Sequence, residues 1–387
     1  MYKIEAQDNK TNARCGVLKT AHGRVKTPFL MPVATKGNVK FLSTVELKEM
    51  GVNAIISNAF LLNLKPGSEF LKKAGGLHKF INFDRTIFTD SGGFQMISKE
   101  LFLDINDKGV QFRDPYNYQK RFFTPEDVMK IEIEIGSDVA MALDHMPHVN
   151  QTKDYVRNAV RRTHLWAQRC IDSHEKLKND TGSKQLLFGI AQGGKFKDIR
   201  EKSAKFIDSL DFDGVAMGGL CIGETRAAMF SAIENQIKHI SKNKTRYLMG
   251  LGTPQDILEA VERGCDSFDS IFPTQNARHG NLFTENGFLK VDKGKFRADF
   301  SPIDENCNCI TCKNYSRAYL YHLFKTGDKT VYPYLTYHNI YWTQNFMKEV
   351  RTSIKENEFA RFKKDFLKKY KINNKVVTTE RLAQRLN

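Results

Sequence analysis

Short apolar segments alternate with helix-start signals along most of this chain, and this alternation restricts the possible folds more than any other feature. The segments have the length of buried strands and end at glycine, polar or charged residues. There are eight, at Phe29–Val33, Ala54–Ser57, Thr86–Thr89, Val139–Leu143, Leu186–Ala191, Gly214–Met217, Tyr247–Met249 and Ser267–Phe272. Strands separated by helices predict a parallel, right-handed βα succession, which closes most naturally into a (β/α)8 barrel of the TIM type. Within the α/β class, an open doubly wound sheet is the alternative.

The segments around these strands support the same arrangement. Three of them begin with a hydroxyl residue suited to cap a helix and end with glycine, at Ser43–Gly51, Thr124–Gly136 and Thr253–Gly264. Before Pro28, residues 2–26 alternate polar and apolar side chains around two turn signals. That pattern predicts an N-terminal antiparallel β extension beside the barrel.

Polar residues and glycines follow six consecutive strands of the predicted barrel. They are Asp90-Ser91-Gly92-Gly93-Phe94, Asp144, Gln192, Gly218-Gly219-Leu220, Gly250-Leu251-Gly252 and, on the eighth strand, Asp269. Because the carboxyl ends of barrel strands meet at one face, we expect a common polar site there. Asp269 is the candidate catalytic carboxylate, since it ends the last strand before a predicted proline turn and polar loop.

The residue types at this face suit a planar, polar ligand. Paired glycines allow the edge of a ring to approach the backbone, and Phe94 and Met249 are placed to hold a ring between them. The carboxylates of Asp90 and Asp144 with the amide of Gln192 supply acceptors and a donor that match the edge of a guanine-like base.

The charge of the chain is strongly positive. Its 387 residues carry 60 Lys and Arg against 44 Asp and Glu, a net charge of +16. The segment from Lys313 to Asn387 holds 16 basic and 6 acidic residues. This imbalance suggests a polyanionic partner such as nucleic acid, although a solvated lysine-rich helix would give the same count.

No apolar run approaches the ~20 residues of a membrane span and the chain start lacks a signal-peptide core, so we expect a cytoplasmic protein without a membrane partner.

Three clustered cysteines predict a metal site. Cys307, Cys309 and Cys312 lie within six positions, and His338 follows 26 residues later. Three thiolates and one imidazole form a closed tetrahedral set, which is typical of a structural zinc ion. His322 is a competing fourth ligand.

Several motifs together resemble a known family. They are D-S-G-G-F-Q at 90–95, A-L-D at 142–144, G-I-A-Q-G-G at 189–194, G-G-L-C-I-G-E at 218–224, Y-L-M-G-L-G-T-P at 247–254, F-D-S-I-F-P-T at 268–274 and the C-x-C-x-x-C…H set. In this order they resemble the bacterial tRNA-guanine transglycosylases of the queuine tRNA-ribosyltransferase family. The resemblance runs from about Pro28 to His338.

The resemblance implies an activity and a set of roles. The activity is exchange of guanine at the wobble position of tRNAs with G-U-N anticodons, those for Asp, Asn, His and Tyr, for 7-aminomethyl-7-deazaguanine in queuosine biosynthesis, by double displacement. Asp269 would be the nucleophile and Asp90 the general acid/base. Binding of the base would involve Asp90, Ser91, Gly92, Gly93, Phe94, Asp144, Gln192, Gly219, Leu220 and Met249. Contacts with RNA would come from Gly250, Leu251, Gly252, Thr253, Pro254, Gln255, Asp256, Thr274, Gln275, Asn276, Ala277 and Arg278.

The resemblance also implies an organisation and excludes some relatives. Residues 1–387 would form one catalytic barrel domain with a zinc-binding subdomain at 300–350, one structural Zn²⁺ per chain and a homodimeric assembly. Ile222 favours the smaller bacterial substrate over queuine, because the eukaryotic subunit usually has glycine there. Gln275, His279 and His145 depart from the residues expected in the family. A non-catalytic, zinc-stabilised tRNA-binding subunit is the alternative, which retention of both Asp90 and Asp269 disfavours.

Overall fold

The computed structural model describes residues 2–370 except Ile97, Lys99 and Val149. In this part of the chain the strands are β1 (Tyr2–Gln7), β2 (Arg14–Thr20), β3 (Gly23–Thr27), β4 (Phe29–Pro32), β5 (Ala54–Asn58), β6 (Thr86–Asp90), β7 (Phe102–Ile105), β8 (Val110–Arg113), β9 (Lys120–Phe123), β10 (Val139–Met141), β11 (Leu186–Ala191), β12 (Gly214–Met217), β13 (Thr245–Leu248), β14 (Ser267–Ser270), β15 (Asn281–Thr284) and β16 (Gly287–Lys290).

The helices of the same part of the chain separate and follow these strands. They are α1 (Thr44–Glu49), α2 (Ala59–Leu64), α3 (Ser68–Lys73), α4 (Leu77–Ile81), α5 (Gly93–Met96), α6 (Pro125–Ile135), α7 (Lys153–Thr181), α8 (Lys197–Ser209), α9 (Arg226–Ile237), α10 (Pro254–Glu262), α11 (Phe272–Arg278), α12 (Ile310–Asn314), α13 (Arg317–Thr326), α14 (Val331–Lys355) and α15 (Phe359–Lys369). None of the described helices is long and apolar enough to span a membrane.

Eight parallel strands form the barrel that the sequence predicts. Their order is β4-β14-β13-β12-β11-β10-β6-β5. A parallel bridge between Val33 and Ile56 brings β4 beside β5, and the N–H of Ala34 donates to the carbonyl of Ile56 at 2.7 Å. The sheet is therefore a nearly closed barrel, and the alternative of an open doubly wound sheet is wrong. Aromatic rings fill the interior, where Phe88 meets Phe188 edge to face at 5.8 Å.

The N-terminal extension is the antiparallel sheet β1-β2-β3, as predicted. It is fastened to residues that precede barrel strands. Arg14 on β2 forms a buried ion pair with Asp266, just before β14. His22, between β2 and β3, hydrogen-bonds one oxygen of Asp138, just before β10. The other oxygen of Asp138 is hydrogen-bonded by His78 on α4. The extension therefore covers the amino ends of the strands and leaves the carboxyl ends accessible.

Two features of the fold were not predicted. Strands β7, β8 and β9 form a three-stranded antiparallel sheet between β6 and α6. Residues 272–278 form helix α11 with Pro273 in its first turn, where a proline turn and polar loop were expected. Proline fits the first turn of a helix because its missing N–H has no intrahelical partner there.

Candidate active site

Asp269 lies on β14, at the carboxyl end of the barrel, and both of its donors reach the same oxygen. The hydroxyl of Tyr247 donates to Oδ1 at 2.6 Å, and the backbone N–H of Gly250 donates to Oδ1 at 2.8 Å. Burial raises the pKa of Asp269 above its usual value, while these two hydrogen bonds lower it. Oδ2 of Asp269 takes part in neither of these two hydrogen bonds.

Asp90 ends β6, which is separated from β14 by β5 and β4 around the closure of the barrel. Burial and the charge of Asp269 together raise the pKa of Asp90 to about 6, although hydrogen bonds from Gly92, Gln95 and Asn58 oppose the shift. The amide of Asn58, the last residue of β5, lies 3.3 Å from Oδ2 of Asp90. A carboxyl group with this pKa exchanges a proton readily near neutral pH.

Asp144 and Gln192 form a second polar pair in the same site. The side-chain amide of Gln192 donates to Oδ2 of Asp144 at 2.5 Å, and both residues are buried. Burial raises the pKa of Asp144 to about 7, and the hydrogen bond from Gln192 opposes this shift. The pKa of Asp144 also rises because Asp90 is close enough to repel it, so these two carboxyl groups belong to one site.

Two glycines lie against this pair where a side chain would not fit. A Cβ at Gly93 would come within 2.9 Å of Oδ1 of Asp144, and one at Gly219, whose φ is +63°, would come within 2.5 Å of Oε1 of Gln192. The backbone at both places therefore approaches the site closely, as the sequence suggests. Leu220 is buried and Met249 half-buried beside it, and the side chain of Phe94 lies outside the described part of the structure.

Arg200 on α8 holds the glycine segments in place, a role that the sequence did not indicate. Its guanidinium is buried and donates to the carbonyls of Gly194, Gly218 and Gly219 at 2.6, 3.0 and 2.9 Å. Burial lowers the pKa of Arg200 to about 10, which leaves it cationic at neutral pH. The N–H of Gly218 donates to the carbonyl of Ala191 at 3.1 Å, which also fixes this segment against β11.

Two buried acceptors in the site lack a partner among the described residues. They are Oγ of Ser91 and Oε1 of Gln192. An unpaired buried polar atom costs about 1–3 kcal/mol, so a ligand that donates to these two atoms would remove that cost. They lie beside the carboxyl groups of the site and suit a ligand with several N–H donors.

The segments predicted to contact RNA are mostly buried in the free chain. Residues 251–256 and Thr274, Asn276 and Ala277 are buried, Gln275 and Arg278 are half-buried, and Gly250 is exposed. Thr253 caps α10, and the amide of Asn276 donates to the carbonyl of Phe272. Most of these side chains therefore support the rim.

The cysteine cluster has the dimensions of a zinc site. The Sγ atoms of Cys307, Cys309 and Cys312 lie 3.7, 3.5 and 3.3 Å from Nδ1 of His338. All four ligand atoms lie within 4.8 Å of one another. A tetrahedral zinc ion with usual bond lengths would place sulfur and nitrogen about 3.5 Å apart. Nε2 of His338 is paired with the carbonyl of Phe283 at 2.7 Å, which leaves Nδ1 for the metal.

His322 does not belong to this cluster. It is exposed on α13, whereas His338 is buried on α14. Tyr319 is also exposed on α13. Tyr315 lies one residue before the N-cap of α13, Ser316, and its ring stacks on that of Tyr319 at 5.5 Å.

Fold and site together define an α/β-barrel enzyme with carboxyl groups at the carboxyl end of its strands and a separate Cys3His metal-binding group. Residues 8–372 match the family model described as queuine tRNA-ribosyltransferase. A queuine tRNA-ribosyltransferase of Caldanaerobacter subterraneus is 44% identical over 369 residues, which cover 95% of this chain and 97% of that protein. Its counterpart in Bacillus subtilis is 43% identical over 372 residues, which cover 96% of both chains. The chain belongs to the queuine tRNA-ribosyltransferase family, and it is a pentosyltransferase.

Proposed function

We propose that this enzyme exchanges guanine at the wobble position of tRNAs with G-U-N anticodons, those for Asp, Asn, His and Tyr, for 7-aminomethyl-7-deazaguanine. The observation that carries the proposal is the pair of carboxyl groups, Asp90 and Asp269, which interact electrostatically at one end of the barrel. Asp269 accepts two hydrogen bonds through Oδ1, and Asp90 has a pKa of about 6. This is the division of roles that a retaining glycosyl transfer needs.

In the first step Oδ2 of Asp269 attacks the anomeric carbon of the ribose. The bond from that carbon to N9 of guanine breaks, and positive charge develops on the ribose ring. The carboxylate stabilises this charge and then forms a covalent ester with the RNA. Tyr247 and Gly250 hold Oδ1 in place, so that the other oxygen is oriented for attack.

Asp90 moves the protons of the reaction. In its protonated form it donates a proton to the departing guanine, and as a carboxylate it then takes a proton from the incoming base. The nitrogen of that base displaces Asp269 from the anomeric carbon, which restores the glycosidic bond with net retention. The pKa of about 6 makes both forms of Asp90 available near neutral pH.

Asp144, Gln192 and the backbone at Gly219 read the edge of the base. A guanine-like base offers N–H donors to the carboxylate of Asp144 and a carbonyl oxygen to N–H donors of the site.

Both N–H groups of the Cys221-Ile222 segment donate to Glu224, at 2.5 and 3.0 Å. Ile222 of this segment is half-buried, and its side chain takes up room that glycine would leave, which favours the smaller 7-substituent over queuine.

Further parts of the proposal concern the metal, the assembly and the location. Cys307, Cys309, Cys312 and His338 would hold one Zn²⁺ per chain in the subdomain at 300–350 of a single catalytic domain, residues 1–387. Four protein ligands leave no position for substrate, so the ion stabilises the fold.

The segments 250–256 and 274–278 would line the path of the anticodon loop. The enzyme would act in the cytoplasm as a homodimer, with exposed Tyr319 in the interface.

Exchange of labelled guanine into unmodified tRNA tests the activity. We expect incorporation into tRNAs with G-U-N anticodons, its loss when the wobble guanine is replaced by adenine, and displacement of the label by 7-aminomethyl-7-deazaguanine. Binding of the tRNA without any exchange would favour the alternative, a zinc-stabilised tRNA-binding subunit.

A further inference from the structure

An exposed tyrosine lies between two lysines on the rim of the barrel. The ring of Tyr116 is 41% exposed. The ammonium of Lys36 lies 5.6 Å from its centroid and that of Lys65 lies 5.7 Å from it. We call these three residues the Tyr116 platform. Lys36 follows β4, Lys65 follows α2, and Tyr116 lies between β8 and β9. Because Lys36 follows the carboxyl end of a barrel strand, the platform lies on the same side of the barrel as Asp90.

The platform has a positive charge that its neighbours do not neutralise. Lys36 and Lys65 are exposed, and within the described residues neither forms an ion pair with a carboxylate. Lys120, on β9 of the same inserted sheet, is likewise exposed and without an ion pair in that part of the chain. Ammonium groups left unpaired around an aromatic ring are suited to a polyanion that also carries flat rings.

Hydrogen bonds fix the turn that presents Tyr116. The buried carboxylate of Asp114 accepts from the N–H of Tyr116 at 2.9 Å and from the guanidinium of Arg121 at 2.8 Å. The N–H of Tyr118 donates to the carbonyl of Asp114 at 2.8 Å, and Tyr118 adopts a φ of +61°, which is uncommon for a large side chain. The ring is therefore held in position before a ligand arrives, which reduces the entropy lost on binding.

We propose that the Tyr116 platform binds single-stranded RNA, with an unpaired base of the tRNA stacked on Tyr116 and backbone phosphates on Lys36 and Lys65. Every base has a flat face, so stacking on an exposed aromatic ring holds single-stranded nucleic acid without reading its sequence. The wobble nucleotide must leave the stacked anticodon loop to reach Asp90 and Asp269. A base held at the rim would keep the loop open during exchange. This inference rests on the proposed function, because it takes tRNA as the substrate.

Binding of a fluorescent anticodon stem-loop RNA tests the two parts of the platform separately. Tyr116→Leu should raise Kd about tenfold with an unchanged dependence on salt, because it removes stacking and no charge. Tyr116→Phe should bind like the wild type. The double variant Lys36→Gln with Lys65→Gln should raise Kd about tenfold at low salt and reduce the slope of log Kd against log salt by about 1.5.

Matched controls and kinetics separate this site from the catalytic one. Lys176→Gln with Lys202→Gln removes two exposed lysines from the outer helices α7 and α8, and it should leave Kd within about twofold. In guanine exchange, Tyr116→Leu should raise KM for tRNA about tenfold and leave both kcat and KM for the small base unchanged.

The outcomes distinguish this inference from the proposed function. A wild type that neither binds nor modifies the RNA would overturn the proposed function itself. A wild type that is active, with Tyr116 and lysine variants that bind the stem-loop as it does, would overturn only the platform. The same result together with binding of another protein through Tyr116 would reassign this surface to a protein partner.

Discussion

The hydroxyl of Tyr247 donates a hydrogen bond of 2.6 Å to Oδ1 of Asp269, one strand away in the barrel. Tyr247 is fully buried, so water cannot replace this donor. The hydrogen bond stabilises the charged form of the carboxyl group, whose pKa burial raises. The reactivity of Asp269, the proposed nucleophile, therefore depends on the hydroxyl group of Tyr247.

Tyr247→Phe should therefore make activity more sensitive to acid. Losing the donor raises the pKa of Asp269 further, so the acid limb of kcat/KM for guanine exchange should move up by about one pH unit. We expect the rate to fall by a larger factor on the acid side of the pH profile than on its alkaline side. Tyr2→Phe is the matched control, since it removes a hydroxyl that donates to Asp266 at the opposite end of the barrel. An unshifted acid limb in Tyr247→Phe would contradict this role.

Asp144→Asn should stabilise the protein without ligand at alkaline pH. Because the folded state raises the pKa of Asp144 from 3.8 to about 7, ionisation destabilises the fold as the pH rises through this range. Replacing the carboxyl group by a neutral amide should add about 2–4 kcal/mol to the free energy of unfolding at pH 8 and almost nothing at pH 4. Urea unfolding at both pH values measures the difference. The exposed Asp180→Asn serves as control, and an equal effect of Asp144→Asn at both pH values would refute the assignment.

Cys309→Ala should release the metal and destabilise the whole chain. The wild type should contain about one zinc ion per chain by elemental analysis, and the variant almost none. Its melting temperature should fall by roughly 10 °C or more, because metal binding and folding of such a site are coupled. Cys170→Ala, which alters a buried cysteine outside the cluster, should keep the zinc. Full zinc content in Cys309→Ala would remove this site from the account.

Tyr319→Ala with His322→Ala should shift the proposed homodimer toward monomer. Both side chains are exposed on α13, where a partner subunit would cover them. Sedimentation at micromolar concentration should show the shift, and tRNA binding should weaken, more so at high salt. Leu165→Ala, an exposed apolar residue on α7, should leave the assembly unchanged. A wild type that is monomeric and fully active under these conditions would rule out the dimer.

The barrel was predictable because each of its strands carries its own local signal. The apolar segments and the caps at Ser43, Thr124 and Thr253 specify elements without help from distant residues, and the structure has capping hydrogen bonds at all three. The common rim followed from strand direction alone. Asp90, Asp144, Gln192 and the other rim residues accordingly lie where parallel topology puts them.

What the sequence missed depends on contacts between distant segments. Arg200 looks like an ordinary charge on α8, and its bonds to three glycine carbonyls exist only after the barrel closes. The sequence around Tyr247 does not distinguish it from other aromatic residues of buried strands, and its contact with Asp269 forms only when the two strands pair. Asn58 could have been predicted as a site residue, because it follows the second predicted strand just as Asp90 follows the third. The small sheet β7-β8-β9 was overlooked because each of its strands mixes charged and apolar residues and so lacks an apolar run.

Mapping of the covalent intermediate shows directly whether Asp269 is the nucleophile. Enzyme and unmodified tRNA are mixed, denatured and digested, and mass spectrometry locates the peptide that carries RNA. We expect an adduct on the peptide that contains Asp269, and we expect the variant Asp269→Ala to bind tRNA but form no adduct. An adduct that persists in Asp269→Ala, or one that maps to Asp90, would contradict it.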